Sequence, residues 1–359
     1  MRTERHRRKE ETMTCPAIAG LRLPLIQAPM AGVQDHRLAA AVSNAGGLGS
    51  LPAAMLGADG LRDQLSALQA LTDRPFNVNF FCHVPPSPNA ARDARWRAAL
   101  APYYAEFGVD PAQVSAGPAR MPFSADMADV LEAFRPAVVS FHFGLPAADL
   151  LARVKAWGAC VLGSATTVAE ARWLEAHGAD AIIAQGLEAG GHRGHFLSDD
   201  LSEQLGTFAL LPQVVRAVSR PVIAAGGIAD ARGLAAAMAL GASAVQVGTA
   251  YLCCPEATTS AVHRAALGSE AARHTALTNV FSGRPARGIV NRAMRELGPL
   301  SADAPAFPFA TAAMAPLRAR AEAAGSGDFS PLWCGQNAAG CQPVPAAELT
   351  RTLSAGFAL

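Results

Sequence analysis

The sequence predicts an α/β chain folded as a (β/α)8 TIM barrel, with an inserted helical cap and a C-terminal helical and loop appendage. Eight short apolar runs alternate with Ala- and Leu-rich stretches of helical spacing. The runs are continuously apolar, as strands buried on both faces of a parallel sheet are. A doubly wound sheet, the main rival, would usually place G-x-G-x-x-G in its first βα turn, and none occurs there.

The strand candidates in chain order are Leu23–Met30, Gly47–Leu51, Pro75–Phe81, Ala137–Phe143, Ala159–Ala165, Ala181–Gly186, Pro221–Gly227 and Ala244–Ala250. Val168–His177, Pro212–Val218 and Asp230–Leu240 are typical of the helical crossovers between them. Residues 85–121, rich in Pro, Ala and Arg, interrupt the repeat after the third strand and predict helices over the barrel mouth, as an active-site lid would lie. The barrel is expected over residues 15–255 and a packed appendage over 256–359. Residues 1–14 are expected to form a disordered tail; its first dozen lack the apolar segment of a secretory signal. Gly233–Cys254 carries no charge, but Gly241-Ala-Ser divides it into a helical half and a Val-rich strand, which argues against a membrane span.

With 359 residues, 51% hydrophobic and 16% charged, and a net charge of +1, the chain offers no electrostatic footprint for nucleic acid or an acidic membrane. A small-molecule partner is the expectation, with the chain a monomer or homodimer and the cytoplasm its default compartment. Seven cysteines without a Cys-x-x-Cys pair read as free, mostly buried thiols.

The most informative stretch is Gln185–Gly194, which follows the apolar run Ala181–Ala184 and presents His192 among glycines at a strand's carboxyl end. Ligands and catalytic side chains collect at that end of a parallel barrel. The seventh strand leads into Gly226 and Gly227, and the eighth into Gly248 and Thr249. Loops after these two strands commonly hold a phosphate with backbone N–H groups. Gln27, Asn79 and Gln185 sit inside otherwise apolar strands, and a buried amide without a partner costs about 1–3 kcal/mol. Three amides at one mouth fit a polar heteroaromatic ligand, against which Ala28, Pro29 and Met30 would lie. FMN meets all these demands with one phosphate, one ring of donors and acceptors, and one flat apolar face.

Glu188, His192, His195, Asp199 and Asp200 share one loop, but a His-x-x-His pair on a glycine loop lacks the helical presentation of a zinc site, so no metal is expected. No G-x-S-x-G elbow supports a hydrolase. His142 and His83 are within reach of the cavity, although a satisfied core histidine is the ordinary reading of each. His36, His177, His263 and His274 read as solvated.

Pro24–Gly32, Asn44–Gly49, Phe76–Asn79, Gln185–Gly194, Ala225–Ile228 and Gln246–Thr249 together resemble the nitronate monooxygenase family, with a weaker return at Leu332–Gln336. The resemblance implies a TIM-type barrel with non-covalent FMN. Asn79, Gln185, Gly190, Gly191, Gly227 and Gln246 to Thr249 would contact the flavin, and His192 would be the active-site histidine. It further implies one-electron oxidation of small alkyl nitronates, such as propionate 3-nitronate, with O2 giving a carbonyl compound and nitrite. His142, Tyr104 and Tyr251 are the expected substrate-pocket residues. The chain departs from the family in having three tyrosines, none in the appendage, where Ala306–Phe309 supplies phenylalanines. That departure bears on substrate identity and keeps a second expectation open, an NAD(P)H-dependent quinone or enoyl reductase on the same fold.

Overall fold

In the computed structural model, which describes residues 21–114 and 120–358, all eight predicted strand regions form strands of one sheet. They are Leu25–Gln27 (β1), Gly49–Pro52 (β2), Phe76–Phe81 (β3), Val138–His142 (β4), Cys160–Ala165 (β5) and Ala181–Gln185 (β6). After the short Gly191–His192 (β7), which belongs elsewhere, come Val222–Ala225 (β8) and Ala244–Val247 (β9). The sheet runs β1-β9-β8-β6-β5-β4-β3-β2, with every neighbouring pair parallel. Leu48 N donates to Leu25 O at 2.9 Å and Gln27 N donates to Leu48 O at 2.9 Å, which joins β1 to the approach of β2 and closes the ring. The expected tail at residues 1–14 lies outside the described residues.

The crossover helices are His36–Ala45 (α1), Ala58–Leu71 (α2), Ala90–Glu106 (α3), Ala125–Phe134 (α4), Ala148–Ala156 (α5), Val168–Ala176 (α6), Thr207–Ala217 (α7) and Ala231–Ala239 (α8). Several begin where a short polar side chain satisfies a free helical N–H: Asp35 accepts from Arg37 N, Thr167 from Glu170 N and Asp230 from Gly233 N. Along the strands the side chains alternate between two apolar layers. Ile26, Leu162, Ile183 and Ile223 fill the barrel, while Leu25, Ile182, Ala224 and Val245 face the helices.

Beyond β9 the chain forms Ala261–Leu267 (α9), Thr275–Thr278 (β10), Ala286–Ile289 (β11), Arg292–Glu296 (α10), Ala310–Ala323 (α11) and Ala346–Ser354 (α12). The terminal helix α12 packs on α1 and α8 and buries Leu349 and Leu353 in the core outside the barrel. The appendage is not only helix and loop, because β10, β11 and β7 make an antiparallel three-stranded sheet. Thr275–Thr278 and Ala286–Ile289 are four residues each and mix polar with apolar side chains, so no continuous apolar run marks them.

The expected lid is also revised. Helix α3 packs on α11, where Trp96, Leu100 and Tyr104 share a core with Met314, Leu317 and Phe329. The tyrosine hydroxyl of Tyr104 donates to Ala313 O at 2.7 Å. Within residues 85–121, Arg120 is the described residue that lines the barrel mouth. Cys82, Cys253, Cys254, Cys334 and Cys341 are free thiols as expected, whereas Cys160 is disulfide-bonded. No helix among the described residues is long and apolar enough to cross a membrane.

If insertion and appendage share one core, Leu317→Ala should cost about 2–5 kcal/mol in denaturant unfolding. A loss below about 1 kcal/mol would mean that α3 and α11 touch without depending on each other.

Candidate active site

A cavity opens at the carboxyl ends of the barrel strands. Ala28, Pro29 and Met30 after β1, Asn79 on β3, His142 on β4 and Gln185 on β6 line one side. Gly190, Gly191 and His192 follow β6, with Gly226 and Gly227 after β8, and Gln246, Gly248 and Thr249 on or after β9. These sequence-selected residues therefore converge on one site.

Tyr104 and Tyr251 do not. Tyr104 is bonded within the α3–α11 core, and Tyr251 is fully buried with its hydroxyl 2.9 Å from Thr350 Oγ1 on α12. Both are aromatic anchors of the helical layers rather than pocket residues. Gln27 is also structural: its Nε2 donates to Gln34 Oε1 at 2.7 Å, and its Oε1 accepts from Ser50 N at 3.0 Å.

The loop carrying His192 is held from several directions. Gln185 Nε2 donates to His192 O at 3.0 Å, and Gln185 Oε1 accepts from Gly194 N at 2.8 Å. His142 Nε2 donates to the same His192 carbonyl at 3.1 Å. Arg193 is fully buried and donates to Gly186 O at 2.7 Å, Gln185 O at 2.9 Å and Gln204 Oε1 at 2.8 Å. Pairing of β7 with β11 sets His192 opposite Ala286, while Arg287 Nε donates to Leu187 O at 2.7 Å.

The His192 ring lies among aromatic side chains, with centroid separations of 5.4 Å to Phe307, 5.6 Å to Trp333, 6.0 Å to Phe81 and 6.1 Å to Phe143. Phe143 has φ +69°, a left-handed conformation that costs a bulky residue about 1 kcal/mol or more. The Arg284 guanidinium lies 4.2 Å from the Phe143 centroid and covers that ring. Ser282 Oγ is 2.9 Å from His192 Nε2 and 3.3 Å from Arg284 O. If the serine proton goes to Arg284 O, Nε2–H donates to Ser282 and Nδ1 keeps its lone pair.

Burial, followed by the charge of Arg120 and with Arg284 adding to it, holds the His192 pKa well below the ordinary histidine range. Burial also lowers His142 to about 3 and both His195 and His263 to about 4. These imidazoles are neutral near pH 7.

The glycines after β8 meet a conformational demand. Gly226 and Gly227 have φ +120° and +73°, and a Cβ on Gly226 would stand 2.9 Å from Thr207 Oγ1. Gly190 passes so close to the appendage that a Cβ there would lie 2.6 Å from Cys334 C and Gly335 N. The same segment is fastened to the loop after β9, since Gly335 N donates to Thr249 Oγ1 at 2.9 Å and Cys341 Sγ donates to Thr249 O at 3.0 Å. Gln246 Oε1 is a buried acceptor without a donor among the described residues. Glu188 lines the cavity, but its carboxylate accepts from Thr207 N at 2.7 Å and Thr207 Oγ1 at 2.9 Å, capping α7.

Sequence reasoning missed Arg120, Ser282, Trp333 and His263 as parts of this environment. His263, expected to be solvated, is buried, lines the cavity and donates from Nε2 to Trp333 O at 3.1 Å. Each reaches the site from outside the barrel repeat, where periodicity carries no information about the mouth.

The buried neutral histidines imply a pH-dependent stability. Unfolded imidazoles take up protons near pH 6.5, while the folded ones resist until lower pH, so their contribution is present above 6.5 and lost on acidification. Denaturant unfolding should show about 3–5 kcal/mol less stability near pH 5.5 than near pH 7.5. Equal stability at the two values would contradict neutral burial.

A family model for nitronate monooxygenase matches residues 13–356. A nitronate monooxygenase of Paraburkholderia phytofirmans is 47% identical over 346 residues, covering 94% of this chain and 92% of the relative. The solved structure of a nitroalkane oxidase from Streptomyces ansochromogenes superposes with a TM-score of 0.87 at 41% identity, covering 95% of this chain and 98% of that one. FabK from Thermotoga maritima is more distant, with a TM-score of 0.71, 29% identity and 96% of each chain covered. The chain belongs to the nitronate monooxygenase family of oxidoreductases.

Proposed function

We propose that this chain binds FMN in the barrel mouth and oxidises small alkyl nitronates, such as propionate 3-nitronate, with O2 to a carbonyl compound and nitrite. The observation that carries the reading is the convergence of His192, the glycines after β8 and β9, and the unpaired Gln246 acceptor on one cavity. Family membership supports the reaction class.

The residues fit a flavin mononucleotide. Gly226, Gly227, Gly248 and Thr249 would hold the phosphate through backbone and hydroxyl donors. A Cβ on Gly248 would find only ordinary contact, 3.4 Å from Ala28 Cβ, so protein crowding does not explain the glycine there. Gln246 and Asn79 would meet the ring's polar edge, with Ala28, Pro29 and Met30 against its apolar face. Gln185 lines the same wall, although both ends of its amide are bonded to the loop. Bound there, FMN would supply a one-electron acceptor that O2 restores.

His192 serves at the substrate carbon. Its neutral ring can receive a proton at Nδ1, with Nε2–H oriented by Ser282, and so can take the α-proton of a nitroalkane or retain a hydrogen bond to a nitronate. The aromatic groups around it exclude water from the reacting carbon.

His192→Asn should reduce nitronate turnover by about 10²–10⁴ while FMN stays bound. Unchanged turnover would remove the histidine from the mechanism. Gln246→Leu should weaken FMN about tenfold in a fluorescence titration. Unaltered affinity would separate that acceptor from the flavin.

A further inference from the structure

We infer that Arg120 is the specificity-determining residue that recognises the substrate's negative charge, so that the site selects a preformed nitronate over its neutral nitroalkane. This rests on the proposed function, because it concerns the substrate of that same cavity.

Arg120 is the one arginine or lysine lining the cavity among the described residues. Its Nη1 is buried without a hydrogen-bond partner among the described residues. None of its described contacts is a carboxylate, and the charge acting on it is a second guanidinium, Arg318. The cavity's own carboxylate, Glu188, is committed to Thr207.

A guanidinium held in this way is placed rather than left adrift. His83 Nε2 donates to Arg120 O at 3.1 Å and fixes its backbone. The guanidinium lies 5.7 Å from the Phe307 centroid, and the same ring also neighbours His192 at 5.4 Å and His83 at 4.8 Å. Arg120 and His192 therefore both pack on Phe307. His192 is neutral, and Arg284, the other guanidinium acting on it, is stacked on Phe143 and donates to His195 O, so the positive charge that lines the cavity is that of Arg120.

The guanidinium presents planar, paired donors that match the O–N–O edge of a nitronate, as they match a carboxylate. A neutral nitroalkane carries no net charge to meet it. Partly desolvated, such a contact is stronger than its exposed counterpart. Because the pairing is available as soon as the anion binds, it acts mainly on KM.

The test uses the FMN-loaded full chain, with Arg120→Met and Arg120→Lys compared to wild type. KM for ethyl nitronate should rise about 10–100-fold in R120M with little change in kcat, and less in R120K. The apparent affinity for neutral nitroethane should be the same in all three proteins. Nitrate, a planar anion with the same oxygen edge, gives a readout independent of turnover: calorimetry should show its affinity at least about tenfold weaker in R120M. Wild-type KM and nitrate affinity in R120M would overturn the inference. If R120M does not fold, unchanged values in R120K together with nitrate binding insensitive to ionic strength would overturn it equally. Wild-type protein that binds nitrate through Arg120 but turns over no nitronate would defeat the proposed function and leave the anion site standing.

Discussion

The site depends on the bracing of the loop after β6. Arg193, fully buried, spends its donors on the carbonyls of Gln185 and Gly186 and on Gln204. A buried guanidinium is tolerated only when its donors are matched, and here they are matched by the turn that must hold its shape. Gln185 and His142 grip the His192 carbonyl from the barrel side. On the far side β11 pairs with β7, so the appendage completes the loop that the barrel begins. An imidazole on an unbraced glycine loop would sample many orientations; this one is fixed at its backbone and at its ring, through Ser282.

That bracing also sets the electrostatics. Burial and the nearby guanidinium groups keep His192 uncharged. A neutral imidazole can accept a proton, whereas a charged one could not, and a separate cation is then available to meet an anionic substrate. Phe307, from the appendage segment that carries phenylalanines and no tyrosine, surrounds the His192 ring together with Phe81, Phe143 and Trp333. Their rings offer bulk and exclude water but carry no hydroxyl for a substrate, and the reading we propose leaves polar recognition to Arg120 and His192.

Much of the architecture was legible because it rests on local pattern. Buried parallel strands are apolar runs, and all eight were found, with boundaries trimmed by a few residues where Pro and Gly end the ladder. The glycine pairs and the His192 loop could be placed because a strand's carboxyl end is where a barrel presents ligand-binding groups. Long-range pairing was not legible. Nothing in Ala286–Ile289 announces that it will meet Gly191–His192, and nothing near Tyr251 announces a hydroxyl partner 99 residues later. Tyr104 read as a lid residue because its helix lies between two barrel strands in sequence, yet its apolar face is satisfied by α11. Gln27, read as a ligand contact, finds its partners in Gln34 and Ser50 instead.

The most direct test of the account is oxygen consumption by purified chain supplied with FMN and propionate 3-nitronate in the absence of any nicotinamide. The account predicts rapid O2 uptake accompanied by nitrite release. No uptake from flavin-loaded protein, together with bleaching of its flavin by NADH under anaerobic conditions, would contradict it and assign the site to a nicotinamide-dependent reductase.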